Sequence, residues 1–275
     1  MVTIRECLQA AAASLGERVD AELLLEHALG CPRSWLFAHA DEPMPAAGQA
    51  TFAALVRRRA AGEPVAYILG RRGFWSLDLE VGADTLIPRV ETELLVELAL
   101  RHVPPDGAAR IADLGTGSGA VALALARERP RAHVVALDLS AGALAVARRN
   151  GRRLGLGNVA LVRGDWLQAL LPRRFDLIVA NPPYIEAGDP HLRRGDLRFE
   201  PLAALASGDD GLQAIRRIVA GAASRLVPGG WLLFEHGAAQ GTAARALLDA
   251  AGYVEVATMQ DLEHRDRVSA GRVSA

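Results

Sequence analysis

Ala109-Arg110-Ile111-Ala112-Asp113-Leu114-Gly115-Thr116-Gly117-Ser118-Gly119-Ala120 is the stretch that decides the fold. A short apolar run of strand length meets three alternating glycines, and helical spacing then continues to Glu128. A strand that passes through a glycine turn into a helix is the opening unit of a doubly wound α/β sheet. The alternation repeats downstream. Strands are expected at Ala109 to Leu114, His133 to Asp138, Val159 to Val162, Phe175 to Ala180 and Gly230 to Glu235. Helices are expected at Ala120 to Glu128, Ala141 to Leu154, Leu212 to Leu226 and Ala238 to Ala251. Continuous apolar strands separated by helices belong to a mostly parallel sheet buried on both faces.

Upstream the texture changes. Leu8, Ala11, Ala12 and Leu15 recur at helical spacing, Asp20 is placed to cap a helix over Ala21 to Leu29, and Gln49 to Ala61 forms a third amphipathic stretch. The cluster Arg57-Arg58-Arg59 reads as a solvated helix end rather than a nucleic-acid patch. Between Pro64 and Gly82, the runs Val65 to Leu69 and Gly73 to Val81 are β-prone and broken by glycines, which suggests a hairpin. A helix from about Val90 to His102 follows. The organisation expected is a helical N-terminal domain over 1–63, a linking β-hairpin over 64–85 and an α/β domain over 86–275.

Composition excludes several classes. The 275 residues are 51% hydrophobic with a net charge of -1, enough for a large core and unlike a general polyanion binder. Every basic residue is Arg, which removes lysine Schiff bases, lysine general bases and the phosphate-loop lysine. Composition bias accounts for that usage. Two cysteines, Cys7 and Cys31, have no metal spacing, and seven scattered histidines add none. No apolar run reaches the ~18 residues of a membrane span, and the N-terminus lacks a charged-then-apolar signal pattern. A soluble, cytoplasmic protein without a metal is expected.

The glycine turn points to a nucleotide-like cofactor. Glycines let backbone approach the ligand, and the helix behind them presents free N–H groups. Asp138 ends the second strand, where a carboxylate accepts from ribose hydroxyls. Asp165 and Trp166 follow the third strand, suited to an adenine amino group and ring. Gly115-x-Gly117-x-x-Ala120 also satisfies the dinucleotide fingerprint, so an oxidoreductase is a reading from a different class. Asp113 argues against it, because a carboxylate there repels a pyrophosphate and suits the amino group of S-adenosylmethionine.

Asn181-Pro182-Pro183-Tyr184 closes the apolar run that starts at Phe175. As an isolated tetrapeptide it is equally an ordinary turn. At the carboxyl end of a strand beside a cofactor turn, it suits methyl transfer to a planar nitrogen. An amide or exocyclic nitrogen is a poor nucleophile because its lone pair is delocalised, so acceptors must grip and aim the NH2 group. The Asn181 side-chain oxygen and the Pro182 carbonyl are such acceptors, and Tyr184 offers a flat face. His236, Arg193, Arg194, Glu200, Asp209 and Asp210 either line the cleft or are incidental.

These segments together resemble the protein-glutamine methyltransferases that modify peptide chain release factors, the PrmC/HemK family. The resemblance rests on Pro64 to Gly70, Phe74-Trp75, Leu86-Ile87-Pro88-Arg89-Val90-Glu91-Thr92-Glu93, Asp113 to Gly119 and Asn181 to Tyr184. Glu200-Pro201, Ala204-Leu205 and Gly208 to Leu212 extend it. Asn-Pro-Pro-Tyr alone is shared with adenine-N6 and some ribosomal methyltransferases. The family resemblance implies a Rossmann-like class I methyltransferase domain, with S-adenosylmethionine held by Gly115, Thr116, Gly117, Ser118, Gly119, Asp138, Trp166 and Asn181; Asp113, just before the glycine turn, and Asp165, after the third strand, join them from their positions. It implies that Asn181, Pro182, Pro183 and Tyr184 hold the substrate glutamine, with Asn181, Pro182 and Tyr184 catalytic. It further implies that the N-terminal helices dock a release factor bearing a Gly-Gly-Gln loop. Separately, a monomer is expected, and the near-neutral charge and small helical domain argue for a protein partner without direct nucleic-acid contact. A ribosomal-protein glutamine and an adenine amino group are alternative targets. Two departures stand out: Val90 where the family usually has proline, and Glu263-His264 in place of small residues.

Overall fold

A computed structural model describes residues 2–274, and the chain divides between Arg71 and Arg72 into two compact units. The first unit is helical: α1 (Ile4–Leu15), α2 (Arg18–Leu29), α3 (Arg33–Ala38), α4 (Ala46–Ala60) and α5 (Val65–Leu69). The Thr3 hydroxyl accepts from the Glu6 amide while Glu6 reaches back to the Thr3 amide, a capping box that starts α1. Gly16 and Gly30, both in the left-handed region, end α1 and α2. Ile4, Leu24, Leu25, Phe52, Leu55 and Ile68 form the core of this unit.

Two expectations for this region are corrected. Asp20 does not cap α2, which begins at Arg18 behind Glu17; its carboxylate instead accepts from Arg59 Nε at 2.6 Å. Val65 to Leu69 is a helical turn and no strand. Pro64 precedes it, Gly70 closes it at φ 68°, and Ile68 is buried. Its β-branched and aromatic residues favour strands only weakly, and packing against α2 and α4 overrides that preference. The hairpin is therefore shorter than expected, pairing β1 (Arg71–Phe74) with β2 (Leu77–Glu80). It packs within the second unit, where the Glu80 amide donates to Asn150 Oδ1 at 2.7 Å.

A 3-10 turn at Val90–Thr92 leads into α6 (Glu93–Arg101), with Val90 exposed, so the missing proline disturbs nothing. Then follow β3 (Arg110–Leu114), α7 (Ala120–Glu128), β4 (His133–Asp138), α8 (Ala141–Arg153), β5 (Val159–Arg163), β6 (Phe175–Ala180), α9 (Gln213–Ala222), β7 (Leu226–Glu235), α10 (Gly241–Ala250), β8 (Val254–Gln260) and β9 (Asp266–Arg272). The sheet order is β5-β4-β3-β6-β7-β9-β8. The first five are mutually parallel, and β9 runs antiparallel between β7 and β8.

Alternation along the strands builds two cores. Ile111, Leu177, Val179 and Leu233 face one layer with Leu95, Val96 and Leu123. Ala112, Leu114, Ile178, Leu232 and Phe234 face the other with Ile215, Ile218 and Leu248. Each fully buried Leu or Ile contributes about 1.5–3 kcal/mol. The chain winds outward from β3 through β4 to β5, then returns to β3's other side as β6. Strand order reverses there, and Leu114 and Ala180 are register partners across the seam. The turn after β3 and the residues after β6 thus emerge side by side, at the position where doubly wound sheets bind ligands.

The strands β8 and β9 were not among those expected. The turn joining them accommodates Glu263-His264: Asp261 Oδ1 accepts from the Glu263 and Arg265 amides, and His264 adopts φ 58°.

Candidate active site

A cavity of about 550 Å³ opens at the carboxyl ends of β3, β4, β5 and β6. Gly115, Gly117, Asp138, Asp165, Trp166, Asn181 and Pro183, all candidate site residues in the sequence, line it. Leu86 and Ala204, from segments that carry the family resemblance, also line it, as do Asp84, Thr85, Ser140 and Arg217, which the sequence did not mark.

The glycine turn is held from beneath. The Gly115 and Thr116 amides donate to the Leu137 carbonyl at 2.9 and 2.8 Å. Gly115 sits at φ 73°, and a Cβ there would come within 3.2 Å of the Trp166 ring. Glycine is required on both counts. Asp138 accepts from the Gly117 amide through Oδ2 at 2.9 Å and from the Ser140 amide through Oδ1 at 2.8 Å. Those contacts fix its carboxylate at the cavity edge with further lone pairs unspent. Asp165 is fixed by Arg217, whose Nη2 donates to Oδ2 at 2.6 Å.

Asp113, Thr116, Ser118 and Gly119 lie behind this surface and do not line the cavity. The Asp113 carboxylate is 2% exposed and accepts from Thr116 Oγ1 at 2.6 Å and from the Ala122 amide at 3.2 Å. It braces the turn and the start of α7. Burial pushes its pKa up to about 7, against the opposing pull of those two hydrogen bonds. The Ser118 carbonyl accepts from Asn150 Nδ2 at 2.9 Å.

At the end of β6, Asn181 Nδ2 donates to Thr92 Oγ1 at 3.0 Å, and Thr92 Oγ1 donates to Glu235 Oε2 at 2.7 Å. The Tyr184 hydroxyl donates to Glu235 Oε1 at 3.2 Å, and Gln240 Nε2 donates to the Tyr184 carbonyl at 3.0 Å. Pro182 is buried, and neither it nor Tyr184 lines the cavity. Among the described residues, Asn181 Oδ1 and the Pro182 carbonyl accept no hydrogen bond from the chain. Burial raises the pKa of both Glu235 and Tyr184.

Thr92 and Glu235, to which sequence reasoning gave no role, are the residues hydrogen-bonded behind Asn181. The available signal was Glu235 itself, a carboxylate closing the apolar strand Trp231 to Phe234, since unpaired acids are rarely buried. Glu200 proves internal: its Oε2 accepts from the Ile87 amide at 2.9 Å and its Oε1 pairs with Arg89. Asp210 pairs with Arg216, which holds its carboxyl down at about 2. His236 is fully buried, with its ring nitrogens at 2.9 Å from the Gly237 carbonyl and from Ser269 Oγ. Its role is structural.

Family models described as the PrmC N-terminal domain and the methyltransferase small domain match residues 3–70 and 91–194. A release factor glutamine methyltransferase of Xylella fastidiosa is 60% identical over 265 residues, spanning 96% of each chain. That of Escherichia coli is 45% identical over 269 residues, spanning 98% of this chain and 97% of the relative. The crystal structure of a methyltransferase from Pyrococcus furiosus aligns with a TM-score of 0.55 at 18% identity, covering 80% of this chain and 98% of that one. The last likeness concerns the fold alone; the first two concern nearly the whole sequence. The chain belongs to the release factor glutamine methyltransferase family, and it is an S-adenosylmethionine-dependent methyltransferase.

Proposed function

We propose that this enzyme methylates the side-chain amide nitrogen of the glutamine in the Gly-Gly-Gln loop of peptide chain release factors. The observation that carries the reading is the pair of uncommitted acceptors, Asn181 Oδ1 and the Pro182 carbonyl, at the carboxyl end of β6. They stand beside the glycine turn because Leu114 and Ala180 are paired in register.

The residues present fit S-adenosylmethionine. Asp138 offers a carboxylate held by two backbone amides, with acceptor capacity left for a pair of hydroxyls. Trp166 and Asp165 offer a ring and an acceptor for an adenine. Gly115 and Gly117 keep the floor open to backbone-close approach. Asp113, Thr116, Ser118 and Gly119 keep that floor in shape from behind. The bound cofactor supplies an electrophilic sulfonium methyl.

What the protein adds is alignment. Asn181 and Pro182 accept from the two amide hydrogens of the substrate, which raises electron density on nitrogen and fixes its direction of attack. Proline at 182 offers its carbonyl without adding a donor. Pro183 forms part of the cavity wall, and Tyr184 anchors the segment through Glu235. No strong base is needed before attack, because the nitrogen becomes acidic only once methylated.

The separate N-terminal helical unit is the release factor's docking element in this reading. Its exposed Val19, Leu23 and Phe37 supply apolar contact area. The enzyme acts as a monomer in the cytoplasm and makes no direct contact with nucleic acid. No helix among the described residues is long and apolar enough to cross a membrane. Incubation with purified release factor and S-adenosylmethionine, followed by mass spectrometry of the tryptic Gly-Gly-Gln peptide, tests the reading. One added methyl on that glutamine is the expected result; an unmodified peptide beside a methylated ribosomal protein or adenine overturns it.

A further inference from the structure

A side-chain amide can present either its oxygen or its NH2 group, and only the oxygen can accept from the NH2 group of a substrate amide. Something must choose. Asn181 Nδ2 lies 3.0 Å from Thr92 Oγ1, which lies 2.7 Å from Glu235 Oε2. An ionised carboxylate only accepts, so the single hydroxyl hydrogen of Thr92 is committed to Glu235. The Thr92 oxygen is then left as an acceptor, which only the NH2 end of Asn181 can satisfy. The direction of the chain is set from its buried end.

We propose that Glu235, acting through Thr92, is the positioning residue that keeps the Asn181 oxygen turned toward the cavity. The inference deepens the function proposed above and rests on it. Both intermediaries are enclosed: Thr92 is 4% exposed and Glu235 1%. The Thr92–Glu235 contact is buried, and the Asn181–Thr92 contact lies at the cavity edge. The groups facing Glu235 are Thr92 and Glu91 from the turn before α6, Tyr184 after β6, and Arg267 on β9. Arg267 favours the ionised carboxylate; burial and Glu91 oppose it. Tyr184 donates to Oε1 and so reinforces Glu235 as a pure acceptor. If Glu235 is protonated it can donate to Thr92, which can then donate to Asn181 and turn its NH2 group to the cavity. Two donors then face each other, and the substrate amide is repelled.

The test compares wild type, Glu235→Gln, Thr92→Val and Thr92→Ser in single-turnover methylation of full-length release factor, with cofactor affinity from calorimetry. Glu235→Gln and Thr92→Val should slow transfer by roughly 30- to 100-fold, the scale of a misplaced catalytic group. Cofactor affinity should stay within about twofold. Thr92→Ser restores the hydroxyl and should stay within about threefold of wild type. Wild-type activity should decline as pH falls through the raised titration of Glu235, and Glu235→Gln should lose that dependence.

A second readout needs no substrate. The chain has three asparagines, so protein labelled with 15N-asparagine shows three side-chain NH2 pairs, and Asn181→Ala assigns the relevant one. In wild type that pair should show a protected hydrogen; in Thr92→Val and Glu235→Gln the protection should vanish. An unaltered Asn181 pair in both variants, or Thr92→Val as fast as Thr92→Ser, overturns the proposal. A wild type that never methylates release factor overturns the function instead, and the asparagine spectra still decide the orientation.

Discussion

Asp138 Oδ2 accepts the Gly117 amide at 2.9 Å, so the acid ending the second parallel strand and the glycine turn ending the first form one rigid piece. The same carboxylate accepts the Ser140 amide, and Ser140 in turn caps α8 through the Ala143 amide at 3.1 Å. The group proposed to seat the cofactor is thereby also a group that holds the turn.

Asp138→Ala should weaken S-adenosylmethionine binding by about 1–3 kcal/mol, the cost of removing a hydrogen-bonded acid and leaving its donors unmet. Titration calorimetry reads it directly. Unchanged affinity would remove Asp138 from the cofactor site.

Asn181→Ala should behave differently. It removes the acceptor proposed to orient the substrate amide, so most of kcat should be lost while cofactor affinity changes little. Single-turnover methylation and equilibrium binding, measured on the same protein, separate the two. Parallel losses in both would contradict the assignment.

Gly211→Ala probes the support behind Asn181 to Tyr184. Gly211 lies at φ 71°, and a Cβ there would overlap the Tyr184 carbonyl oxygen and crowd Gln240 Nε2. The segment must shift or the loop must strain, at about 1–3 kcal/mol. Urea denaturation should show a lower midpoint, and kcat/KM for release factor should fall more than cofactor affinity does.

Asp113 makes stability depend on pH. Its folded pKa of about 7 lies above the unfolded value of about 4, so between those values the folded state binds more protons. Unfolding free energy should therefore fall as pH rises through that window, by at most about 1.4 kcal/mol per pH unit. Denaturant titrations at several pH values measure the slope. Asp113→Asn, which retains an acceptor for Thr116 and Ala122, should flatten it.

Much of this architecture is legible in local sequence, and the exceptions have physical causes. The central strands β3, β4 and β6 are continuous apolar runs because both faces are covered, and their bounds match the expectation closely. By contrast, β8 is an edge strand, largely exposed, with Glu255, Thr258 and Gln260 along it and Glu255 at φ 53° beside a register shift. Neither periodicity nor burial marks it. α3 has only six residues, too few for helical spacing to declare itself. Val65 to Leu69 carries strand-favouring side chains in a helical turn set by its surroundings. In the site, the glycine turn and Asn181 to Tyr184 are contiguous motifs and can be read directly. The Thr92–Glu235 contact joins positions 143 residues apart, and no local pattern encodes such a meeting.

The pairing of Leu114 with Ala180 has a consequence for how such enzymes diversify. Neighbouring strands are about 4.8 Å apart whatever loops they carry. The separation between the glycine turn and Asn181 is therefore inherited from the sheet itself. Insertions between Ile185 and Gly211 can reshape what enters the mouth of the pocket while the working distance inside it stays constant. Recognition is free to drift; the stroke length of the reaction is not.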